Sequence, residues 1–135
     1  MQKTDTKEAG QKSLDLATRY MANAYKELAL AKKNGKYYDD TKHVSIACGT
    51  AYKGVLIAID GIFKQRGVQR GRGGVSIEYY TSNLSKIDKK MLNALNTAYD
   101  ILHCEGYYRE LNNVKAISVG FEEAEFIINK LKQML

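Results

Sequence analysis

Apolar residues recur along this chain at intervals of three and four, the spacing that places side chains on one face of an α-helix. Leu14, Ala17, Met21, Ala24, Leu28 and Ala31 make the first such stripe, which predicts a helix from about Glu8 to Lys33 with Asn34-Gly35 as its stop. After Tyr37-Tyr38, either Asp39 or Asp40 can cap a second helix by accepting its free amide hydrogens, and that helix should reach Phe63 or Arg66. Val44, Ala47, Cys48, Ala51, Tyr52, Val55, Leu56, Ala58, Ile59, Ile62 and Phe63 leave this second helix only a narrow polar stripe. Such a helix is expected to meet neighbours on more than one side. Gly54 and Gly61 lie two helical turns apart on one flank. Each costs roughly 1 kcal/mol in helix propensity relative to Ala, so their presence predicts a close backbone approach that offsets the loss.

The C-terminal half repeats the pattern. Ile77, Tyr79, Tyr80 and Leu84 fit either a short helix or an ordered connection within Val75 to Leu84. Ser85 reads as the cap of the next helix, with Asp88 returning a bond to the cap amide. Met91, Leu92, Leu95, Ala98, Tyr99 and Leu102 then form a stripe that enters His103-Cys104-Glu105-Gly106, where Gly106 either ends or bends the helix. A last helix should follow Asn112-Asn113 and run towards Leu135, carried by Val114, Ile117, Phe121, Ala124, Ile128, Leu131 and Leu135. Ile127 broadens that face, while Glu122, Glu123 and Glu125 read as solvated positions.

These stripes can be buried only against one another. The expected fold is therefore all-α, an antiparallel up-and-down bundle of four or five helices. The 135 residues suit one helical domain over 1-135, and no proline interrupts it.

Charge adds one feature that packing does not explain. Net charge is +6, and residues 64 to 74 hold four basic residues and no acid, while the rest of the chain is nearly balanced. Lys64, Arg66, Arg70 and Arg72 stand among glycines in a basic loop at 64-75. Guanidinium groups on such a loop can clamp phosphate, which makes it a candidate site for a nucleotide or nucleic acid. A solvated loop and a contact for a protein partner fit the same composition. A Walker-type cradle is excluded, because the glycines follow a helix and no Lys-Ser or Lys-Thr ends the run.

His43 and His103 are the only histidines, so no three-histidine metal site and no zinc pattern can be drawn within one chain, and neither a metal nor a cofactor is expected. His43 near the start of helix two suits a polar contact on or between helices. His103 has Tyr99 four residues before it and Tyr107 four after, a line on one face if helix continues through Gly106. With Arg109 nearby, Tyr99, His103 and Arg109 contain the groups for metal-free phosphodiester cleavage. A hydrogen-bonded core or interface cluster accounts for the same residues. Asp39-Asp40 is explained by capping, and Asp60 can pair across the bundle. Cys48 and Cys104 fall in apolar helical pattern without ligand spacing and read as buried thiols. Met1 to Glu8 lacks a secretory apolar stretch, and no run is expected to reach the roughly 20 apolar residues that span a bilayer, which predicts a cytoplasmic protein off the membrane.

Thr50 to Phe63, with the helix before it, the tyrosines at that helix's end, and Ala98-Tyr99-Asp100-Ile101-Leu102-His103, resembles HEPN-like bundles. In character the chain is close to an uncharacterised Bacteroidetes family of single-domain HEPN-like proteins. The resemblance implies a small helical protein, often dimeric, of a kind found beside nucleotidyltransferases or in toxin systems. Ribonuclease members carry an Arg a few residues before a His. Here neither His43 nor His103 follows an Arg at that spacing, and Arg109 comes after His103. The implied function is a non-catalytic bundle that forms a homodimer or binds a protein partner, with a nucleotide-related ligand as a further option. A metal-independent ribonuclease is the alternative.

Overall fold

The computed structural model describes residues 3–70 and 76–135. Five helices form an up-and-down bundle: α1 (Lys3–Ala29), α2 (Thr41–Gln65), α3 (Ile77–Leu84), α4 (Lys89–Ala98) and α5 (Val114–Gln133). Helix α4 runs directly into a π-helical segment, Tyr99–Tyr108. A two-stranded antiparallel sheet, β1 (Lys33–Asn34) with β2 (Tyr37–Tyr38), joins α1 to α2 in the register Lys33 to Tyr38 and Asn34 to Tyr37.

Helix α2 is the centre. It packs against α1, α5 and the π segment, which is the physical reason for its broad apolar face. By length and composition it does reach the level needed to cross a bilayer, contrary to the expectation from the sequence, and burial of most of its apolar window among the other helices accounts for that character. Asp40 is its cap, accepting from the Lys42 amide at 3.1 Å. Leu14, Ala17 and Ala24 of α1, Val44, Ala47, Val55 and Ile59 of α2, and Ile117, Ala124 and Leu131 of α5 are fully buried in one core.

The α1–α2 seam is closed by small residues. A Cβ added at Gly61 would lie 2.5 Å from Ser13 Cβ and 3.3 Å from the Gly10 carbonyl oxygen. At Gly54 it would lie 3.1 Å from Tyr20 Cβ and 3.3 Å from the Ala17 carbonyl oxygen. The two backbones therefore meet where side chains are missing, and the propensity cost of the glycines is offset by contact area.

Several boundaries differ from the sequence reading. Helix α1 begins earlier, by Lys3, and ends at Ala29, because Leu30 and Ala31 close a tighter final turn and Lys32 turns the chain with φ +55°. Asn34-Gly35 is not a helix stop. It belongs to the hairpin, where Gly35 at φ +66° supplies the positive dihedral that a tight two-residue turn needs. Buried Tyr38 draws the hairpin inwards, its amide donating to the Asn112 carbonyl at 2.9 Å. The ambiguous segment is helix α3, capped by Ser76. Ser85 closes α3 and does not open α4, whose cap is Asp88, accepting from the Met91 amide at 3.0 Å. Leu84 is fully buried, which carries α3 through to that point and leaves Asp88 as the first residue free to cap. The last helix does follow Asn112-Asn113, and Asn113 is its cap, accepting from the Ala116 amide at 2.9 Å.

Gly61→Ala should overpack the α1–α2 seam. Destabilisation of about 1–2 kcal/mol is expected in urea unfolding, because overpacking costs more than the propensity gain returns. An unchanged or raised midpoint would show that Ser13 can move aside freely.

Candidate functional site

The π segment is built by two constraints acting on one stretch of helix. Gly106 presses on α2, where an added Cβ would stand 2.5 Å from Cys48 Sγ. At the far end the Arg109 amide donates to the Cys104 carbonyl at 3.2 Å, the i→i+5 bond of a widened helix. Segments of this kind are uncommon and concentrate at functional sites.

Widening keeps residues four apart nearly in line. The His103 ring stacks on Tyr99, with centroids 5.3 Å apart, and on Tyr107, 6.3 Å apart at 7° between planes. Tyr108 meets His103 edge-on at 5.0 Å. Tyr52 of α2 completes the group at 4.9 Å from His103. Its place in the α2 apolar stripe was legible in the sequence, but its meeting with a residue on another helix was not. Burial raises the Tyr52 phenol well above its ordinary value, so it stays neutral. The neighbouring Cys104 thiol raises Tyr99.

His103 and Tyr107 of this group line a groove of about 390 Å³ formed with Ile46, Gly49, Thr50 and Lys53 of α2 and Tyr20 of α1. Tyr107 and Tyr108 are 46% and 68% exposed, so a large aromatic area reaches the surface here. The cation in the groove is Lys53. Arg109 is engaged elsewhere, donating to Glu105 at 3.0 Å one turn back on the exposed side. Of the candidate trio, the fold brings Tyr99 and His103 together and ties Arg109 to a carboxylate.

The basic segment lies at a different place. Lys64 and Arg66 are exposed at the end of α2. The chain then folds back, with the Val68 amide donating to the Phe63 carbonyl at 2.9 Å and Arg70 reaching Asp60 at 3.4 Å. Asp60 thus pairs with Arg70 of the loop and also meets the Tyr80 phenol of α3, a partner on another helix of the bundle. Lys64, Arg70, Asp60 and Tyr79 share a cavity of about 400 Å³. Arg72 and the rest of 71–75 lie outside the described residues. Burial raises the Asp60 carboxyl above its ordinary value, opposed by Tyr80 and Arg70. Its Oδ1 is enclosed without a hydrogen-bond partner among the described residues.

His43 forms a short contact with Glu27 of α1 and a longer one, 3.6 Å, with Asp40, a polar tie between α1 and α2. Cys48 is buried and its thiol is pushed up to about 12 by that burial, which leaves it inert. Cys104 is free and half-buried. Among the described residues no three His, Cys, Asp or Glu side chains converge as a metal site would require.

One concavity was invisible in the sequence. A groove of about 720 Å³ runs between the end of α1 and the first turns of α5, with Leu28 and Phe121 in its floor. Tyr25 forms a wall, its ring 5.0 Å from Phe121 and its phenol pushed up to about 12 by burial and by the neighbouring Glu125. Glu122 and Glu125, which read as plain solvated positions, line this groove. No sequence signal pairs them with α1.

Comparison with known proteins places this arrangement. The model of a family described as "Domain of unknown function (DUF5618)" matches residues 12–133. Among solved structures, a protein of unknown function from Dyadobacter fermentans is similar, with 34% identity, a TM-score of 0.86, and coverage of 93% of this chain and 98% of that one. No match emerges among curated proteins.

The Asp60 environment gives a pH dependence of defined sign. Its folded carboxyl holds a proton to higher pH than the unfolded one, so its favourable contribution is complete below the unfolded pKa and is lost as pH rises through the folded value. Asp60→Asn should therefore gain stability relative to the parent as pH increases from about 4 towards neutrality. Paired urea melts across that range check this, and a constant difference between the two proteins would refute the assignment.

Proposed function

The chain belongs to the DUF5618 family, and from that premise we propose that it is a non-catalytic binding domain, HEPN-like in its bundle, that forms a homodimer through the tyrosine surface around His103. The observation that carries this reading is the exposure of Tyr107 and Tyr108 beside Ile46 and the Lys53 groove. A monomer gains nothing by leaving this much aromatic and aliphatic area in water, and contiguous patches of this kind are where proteins associate. Tyrosine suits the role because it carries large area on few rotatable bonds and keeps a polar end for the rim. In a twofold dimer the same patch serves both copies, so a single run of tyrosines suffices. The stacked rings are already held by Tyr52 and His103, which lowers the ordering cost on association.

The absence of catalysis is part of the proposal. The trio Tyr99, His103 and Arg109 is not assembled for cleavage, because Arg109 is engaged with Glu105, and the cation that lines the His103 groove is Lys53 instead. The nucleotide or nucleic-acid reading draws support from Lys64 and Arg70 on one cavity, but Asp60 in the same cavity opposes a polyanion. Cytoplasmic residence is proposed as well, supported by two cysteines that remain free thiols.

Sedimentation equilibrium tests the main reading. The expected result is twice the chain mass for the parent and a weakening of association by about tenfold or more for Tyr108→Glu, with the helical circular dichroism unchanged. A parent that stays monomeric at all concentrations would overturn it. RNA incubated with the parent and with His103→Gln should be cleaved at the same background rate. Cleavage lost with His103→Gln would restore the ribonuclease alternative.

A further inference from the structure

We propose that the groove between α1 and α5 binds a short extended peptide with free ends, its carboxylate at Lys32 and Lys33 and its ammonium at Glu122 and Glu125. The cavity, about 720 Å³, has the size of a small-ligand pocket and an apolar floor of Leu28 and Phe121. Its charges are sorted by position. The hairpin sits against the start of α5, since the Val114 amide donates to the Lys36 carbonyl at 2.9 Å, and this puts Lys32 and Lys33 at that end. Glu122 and Glu125 lie further down α5, roughly 12 and 16 Å from Val114 at the helical rise of about 1.5 Å per residue.

Opposite charges thus line one groove without pairing with each other among the described residues. A ligand bridging them needs both charges, and the backbone positions that carry them are separated along α5 by about 12 Å or more of helical rise, a length that four extended residues match at about 3.3 Å each. A single α-amino acid, whose charged groups are adjacent, is too short.

The backbone at the cationic end points the same way. Lys32 has φ +55°, a left-handed conformation in which glycine is the low-cost residue. Here the position follows the end of α1 and carries a long cationic side chain at the groove, so Lys32→Gly relieves the backbone while removing a groove charge.

Isothermal titration of the full chain with the tetrapeptide Gly-Leu-Phe-Gly tests the proposal, using free-ended, N-acetylated and C-amidated forms. Saturable one-to-one binding of the free-ended peptide is expected, weakened about tenfold or more by blocking either end. Lys32→Gly should raise the melting temperature while weakening the free-ended peptide, and it should remove much of the penalty for amidation. Glu122→Gln should do the same for acetylation. Ser118→Trp, at an exposed groove position, should block binding with the fold intact by circular dichroism. No heat up to about 1 mM peptide, equal binding of the blocked forms, or full affinity in Lys32→Gly would each overturn the assignment.

Discussion

Everything in this bundle is arranged around the near contact of α1 and α2. Gly10, Gly54 and Gly61, with Ala17 between them, let two long helices approach until one backbone touches the side-chain stubs of the other. Dispersion between closely apposed atoms is small per pair and large in sum, so a tight seam of small residues holds as firmly as a looser one of large residues. It also frees the rest of α2. With one flank committed to α1 at short range, α2 keeps other faces for α5 and the π segment, its buried Val55 and Ile59 belong to the common interior, and Phe63 meets Tyr79 and Tyr80 of α3.

The same logic produces the π segment. Gly106 sits against Cys48 with no room for a Cβ, so the helix descending from α4 meets α2 as closely as α1 does on the other side. Where an ordinary helix would carry Tyr99, His103 and Tyr107 gradually around its axis, the wider turn holds them in register and stacks their rings. A packing demand in the interior is thereby converted into an aromatic strip at the surface. Tyr52 belongs to both, buried in α2 and in contact with His103.

Three of the concave surfaces on this frame are chemically distinct. The His103 groove is aromatic with one lysine, the Asp60 cavity combines a half-buried carboxylate with the cations Lys64 and Arg70, and the α1–α5 groove separates lysines from glutamates across an apolar floor. None shares its charged residues with another. The chemistry that sequence inspection gathers around His103 and the arginines is therefore distributed, with Arg109 neutralised locally by Glu105 and Arg70 by Asp60. Short i,i+4 and loop-to-helix reach decides those pairings, because a long flexible cation finds the nearest carboxylate first.

What the chain determines by itself is its periodicity: the stripes of α1, α2, α4 and α5, helix starts near Asp39-Asp40 and after Asn112-Asn113, and the need for a close approach at Gly54 and Gly61 are all local or nearly local properties. Lines of residues four apart, such as Tyr99, His103 and Tyr107, belong to the same class. Tertiary structure alone decides the rest. It ends α1 at Ala29, where Leu30 and Ala31 tighten the last turn ahead of the hairpin that buried Tyr38 anchors, moves the α4 cap from Ser85 to Asp88 because Leu84 is buried, and widens the helix at Gly106 because Cys48 is behind it. It also sets Glu125 beside Tyr25 and Tyr52 beside His103. Those contacts join residues far apart in sequence, and their identity depends on which helices become neighbours, a choice that the periodicity of any one helix does not contain.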